Sequence, residues 1–73
     1  MNINILGENN ETLAINCKCA YLLSTDDTLA ITFDDDGEAR NCEEMIKKMN
    51  IKTKHINNEI SLLNISNFNL SFS

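Results

Sequence analysis

The stretch Thr12-Leu13-Ala14-Ile15-Asn16-Cys17-Lys18-Cys19-Ala20-Tyr21-Leu22-Leu23 places Leu13, Ile15, Cys17, Cys19, Tyr21 and Leu23 on odd positions. Successive strand side chains point to opposite faces of a sheet, so this alternation predicts a half-buried β-strand over Thr12–Leu23. Ile3 and Ile5 before it, and Leu29, Ile31 and Phe33 after it, keep the same parity. Three strands follow from this pattern, over about Asn2–Leu6, Thr12–Leu23 and Thr28–Phe33. Gly7–Glu11 and Ser24–Asp27 supply turn-forming residues between them.

Past the acidic Asp34-Asp35-Asp36-Gly37 the period changes. Ala39, Cys42, Met45, Ile46 and Met49 recur at spacings of three and four, which puts them on one face of a helix. Either Asp36 caps its start, or Asn41 does with Glu44 reaching back. Glu38, Glu43 and Glu44 early and Lys47 and Lys48 late match the helix dipole, and Asn50 suits a left-handed stop.

Ile51–Ile56 reads as a strand with Lys52 and Lys54 toward solvent, and Asn57-Asn58 as a tight hairpin turn. Over Glu59–Ile65 the parity breaks, with Ile60 and Leu62 on one face and Leu63 and Ile65 on the other. Burial on both sides or a bulge would explain this. Ser66-Asn67 turns the chain into a last alternating segment, Phe68, Leu70 and Phe72. The expected order is βββ-α-βββ, or βββ-α-ββ if the last two segments are one bent strand. The class is α+β, an antiparallel sheet or sheets with one amphipathic helix, and residues 1–73 form a single small domain. A three-turn helix cannot cover five or six strands, so a strongly curled sheet, two small sheets or a second subunit must complete the core.

Composition narrows the function classes. Residues 1–44 hold ten acidic and two basic side chains, net −8, and residues 45–73 hold one acidic and four basic, net +3, consistent with −5 overall. With basic residues clustered only at Lys47, Lys48, Lys52 and Lys54, direct nucleic-acid binding and attachment to an anionic membrane are disfavoured. No run of about 18 apolar residues or leader-like start is seen, so a soluble cytoplasmic protein is expected. Three cysteines cannot all pair, and Cys17 and Cys19 on one strand face sit too far apart for an unstrained bridge. Reduced thiols filling a core are expected.

Four constellations bear on chemistry. Cys17, Cys19, Cys42 and His55 are four soft donors, but their spacing does not match zinc motifs, and core thiols explain them more simply. Asp34, Asp36 and Glu43 fit the third, fifth and twelfth positions of a calcium loop around Gly37, yet Thr32 stands where the first carboxylate is required. Cys42 near a helix start, with His55 as base, is a nucleophile pattern without an oxyanion site. No catalytic residue, metal site or cofactor is therefore assigned, and an enzyme is not expected.

The fourth constellation is the acidic surface of Asp26, Asp27, Asp34, Asp35, Asp36 and Glu38. Complementary potential steers association, so these carboxylates suit a basic protein partner. The expectation is a non-enzymatic protein-interaction domain. In its sharper form it is a small acidic inhibitor of a basic, nucleic-acid-handling protein, by compositional analogy with mobile-element and phage inhibitors. A structural or assembly subunit is the alternative, forming a homodimer or small homo-oligomer through sheet edges, with Phe68, Leu70 and Phe72 as the self-association strand. A metal-binding module comes third.

Overall fold

The computed structural model describes residues Met1–Ser73. It contains β1 (Asn2–Leu6), β2 (Thr12–Asn16), β3 (Cys19–Leu23), β4 (Thr28–Thr32), α1 (Asp36–Lys47), β5 (Thr53–Ile56), β6 (Glu59–Leu63), a one-turn 3-10 helix (Ile65–Asn67) and β7 (Asn69–Phe72). The class is α+β with antiparallel pairing throughout. The strands divide into two sheets, a first with order β2-β1-β7 and a second with order β3-β4-β6-β5. Of the three ways to complete the core, the chain uses two small sheets.

Thr12–Leu23 is not one strand. It breaks at Cys17-Lys18, and four strands, not three, precede the helix. The cause is local. The Lys18 N–H donates to the Thr32 carbonyl at 2.9 Å, and Cys19 pairs with that same Thr32. Two residues opposite one constitute a β-bulge, which bends a strand and lets it pass from one sheet to another. The extra residue also reverses the parity. Before it, Ile15 and Cys17 are buried; after it, Ala20 pairs with Ile31 and Leu22 with Leu29, so the even residues of β3 face the core side. Cys19, Tyr21 and Leu23 turn outward, against the odd parity expected of them.

The second crossing between sheets explains the irregular Glu59–Ile65 segment. Ile60 and Leu62 are fully buried, and the strand ends at Leu63. Asn64 then adopts a left-handed conformation, φ 56°, which returns Ile65 to the core. The parity break is therefore a turn and not a bulge or a doubly buried strand, and the last two segments are separate strands. The β3–β4 turn grips this crossing. Asp27 accepts from the Ser66 N–H and Oγ at 2.8 Å each, and its carbonyl accepts from the Ile65 N–H at 3.1 Å.

Asp35, not Asp36 or Asn41, caps α1, accepting from the Glu38 N–H at 2.8 Å. Asn50 takes the left-handed conformation, φ 60°. Ala39, Cys42 and Ile46 are buried, while Met45 lies at the stripe's margin and is exposed. The helix packs on β5 and β6 and touches β2, so it closes the side of the core that the two sheets leave open. Ile3, Ile5, Leu29, Ile31, Ile46, Ile60 and Leu62 are fully buried within a single cluster drawn from both sheets and the helix. Each such side chain contributes about 1.5–3 kcal/mol of burial.

Candidate protein-interaction surface

Asp26 and Asp27 sit in the β3–β4 turn. Asp34 and Asp35 follow β4, and Asp36 and Glu38 open α1. The two groups thus occupy opposite ends of a five-residue strand, about 17 Å apart at about 3.3 Å per residue. Half of these carboxylates are committed within the chain. Asp27 holds Ser66, Asp35 caps the helix, and Glu38 accepts from the Asp34 N–H at 3.1 Å. The exposed carboxylates of Asp26, Asp34 and Asp36 make no hydrogen bond or ion pair.

The expected self-association strand is divided in the same way. Phe68 and Leu70 are partly buried and pack against the core, whereas Phe72, at the end of β7, is exposed. β7 forms an edge of the first sheet, whose outer face is mostly uncharged and polar, with Asn2, Asn4, Thr12, Asn16, Asn69 and Ser71.

The donors weighed for metal or nucleophilic chemistry are dispersed. Cys17 and Cys42 are core residues, and burial pushes the Cys17 thiol up and the Cys42 thiol up to about 11. At neutral pH Cys42 is therefore a thiol and not a thiolate. His55 turns away from it, with Nδ1 3.2 Å from Glu43 Oε1 and Nε2 2.6 Å from the Asn57 carbonyl. Glu43, the twelfth position of the calcium-loop alignment, faces His55 and Lys47. No group of three or more His, Cys, Asp or Glu side chains is arranged to hold a metal ion, and no helix is long and apolar enough to cross a membrane.

The feature that the alternation concealed is β3. It is a free edge of the second sheet, and its sequence Cys19-Ala20-Tyr21-Leu22-Leu23 carries no charge. Tyr21 is 59% exposed, Leu22 54% and Leu23 46%. In an antiparallel ladder alternate residues turn their backbone groups to one neighbour, so half of the β3 amides and carbonyls face outward unpaired. A signal was present in the chain: all five residues are apolar, so their alternation fixes neither face. Comparison with protein families, with curated proteins and with solved structures found no match for this chain.

Proposed function

We propose that this chain is a non-enzymatic protein-interaction domain that docks a partner on β3. The observation that carries this reading is the uncharged apolar edge strand with exposed side chains and unpaired backbone groups. Strand addition to such an edge draws affinity from main-chain hydrogen bonds and specificity from alternate side chains. Apart from the β3 edge, the net charge of −5 and the free carboxylates of Asp26, Asp34 and Asp36 at the two ends of β4 favour contact with a basic protein, a nucleic-acid-handling protein being one such class. Assembly into a homo-oligomer through a sheet edge is the second reading, and β3 favours it too.

The test is co-purification of the tagged protein from its native cell extract at low and high salt. One basic protein, lost at high salt and lost when Asp26, Asp34 and Asp36 are changed to Lys, is the expected outcome for the acidic-surface part of the reading. Those three positions leave the cap and the Asp27–Ser66 contacts intact, so folding is retained. Capture that ignores both salt and the substitutions would remove the acidic surface from the reading.

A further inference from the structure

We infer that a second copy of this chain occupies the β3 edge, in an antiparallel pairing centred on Tyr21. The inference rests on the proposal that β3 is the docking element and names its occupant. Three observations lead to it.

First, β3 is the unguarded edge of the second sheet. At the other end of the same sheet, β5 carries Lys54, flanked by Lys52, and is strapped to α1 through His55 and Glu43. Second, β3 has opposite charges at its two ends. Lys18 precedes it, exposed and without an ion pair, and Asp26 follows it with a free carboxylate. An isologous antiparallel contact sets each end of the strand against the other end in the partner copy. Pairing Tyr21 with Tyr21, Ala20 with Leu22 and Cys19 with Leu23 covers all five residues. It also brings Lys18 of each copy alongside the Ser24–Asp27 turn of the other, where Asp26 lies. A parallel pairing would instead oppose Lys18 to Lys18 and Asp26 to Asp26.

Third, the apolar surface is continuous with the edge. Across the outer face of the second sheet, Tyr21 is opposite Ala30, and Leu23 is opposite Thr28, which is opposite Leu63. Ala30 and Thr28 are buried, so the face rises at Tyr21 and Leu23 on β3. Pairing two β3 strands would extend the sheet to eight strands and set both Tyr21 rings side by side at the two-fold axis, where cross-strand aromatic pairs are favourable. The contact is small, at the weak end of specific interfaces.

Sedimentation equilibrium of the pure protein, from micromolar to near-millimolar concentration, tests the inference. The expected mass rises from 8.2 kDa toward twice that value and goes no further. Tyr21→Lys sets two like charges against each other on the axis and should weaken the dimer by roughly tenfold or more. Lys18→Glu and Asp26→Lys should each weaken it, and the double variant should return it to within about twofold of the parent, since the pair is restored in reversed polarity. A chain that remains monomeric throughout would overturn the inference. So would a dimer indifferent to Tyr21→Lys, or a charge-swapped double variant no better than the single ones. Applying Tyr21→Lys in the co-purification separates the two levels: a monomer whose basic partner is lost on this substitution overturns the self-pairing and keeps β3 as the docking element. A monomer whose capture is unchanged overturns both.

Discussion

The two edges of the second sheet make opposite use of the same geometry. β5 is an edge with a lysine on the strand, a lysine just before it, and a histidine tied to the helix. β3 is an edge of five uncharged apolar residues with no such cover. Edge strands with exposed ladders invite pairing, and charge, particularly lysine, is a common way to prevent it. One edge of this sheet thus carries charge and a tie to the helix, and the other carries neither.

Removing the guard on β5 is the strongest way to break that difference. Lys54→Leu leaves a second apolar edge, and alternating β3 and β5 contacts do not close. The expected result is growth past the dimer, into particles whose size rises with concentration in light scattering. A parent-like mass would show that Lys54 does not protect β5. A stability series sharpens the contrast between interior and edge. Ile31→Ala, in the strand buried between β3 and β6, should cost about 2–5 kcal/mol in urea unfolding. Leu22→Ala, half exposed on the neighbouring edge, should cost under about 1 kcal/mol. Similar losses at the two sites would place β3 in the folded core and argue against its role as a docking strand.

The strap on β5 is a smaller term. His55→Ala removes the contacts to Glu43 and Asn57 and should destabilise the chain by about 1 kcal/mol, with faster amide exchange in β5 than in β3. The mildest test concerns the thiol beneath the helix. Burial raises Cys42 from its ordinary 9.0 to about 11, so the folded chain keeps a proton that the unfolded chain releases. Stability from this thiol is fully present below about pH 9 and is lost as pH rises through about 11. The fall should flatten in Cys42→Ala, and an unchanged alkaline slope would assign it to other groups.

Much of the fold was legible because burial imposes a period. Ile3, Ile5, Ile15, Leu29 and Ile31 alternate because one face of each strand meets the core, and Ala39, Cys42 and Ile46 recur because one helical stripe does. The hairpin turns were legible from Asn and Asp, with Asn57 and Asp27 both in the left-handed conformation. The candidate surface was legible only in part. Asp26, Asp34 and Asp36 remain free, whereas Asp27, Asp35 and Glu38 serve the turn and the cap, a division that depends on Ser66 and on which residue begins the helix.

By itself, the sequence determined the class, one helix among antiparallel strands, the core face of most elements, and the uneven distribution of charge, because these follow from local periodicity and composition. Tertiary structure alone decided where Thr12–Leu23 breaks, which sheet each half joins, and which edge lies open. A bulge at Lys18 is defined by the strand opposite it, and Thr32 is distant in the chain. The apolar run Cys19–Leu23 offers no period of its own, so only pairing with β4 sets its faces and leaves its other side to solvent.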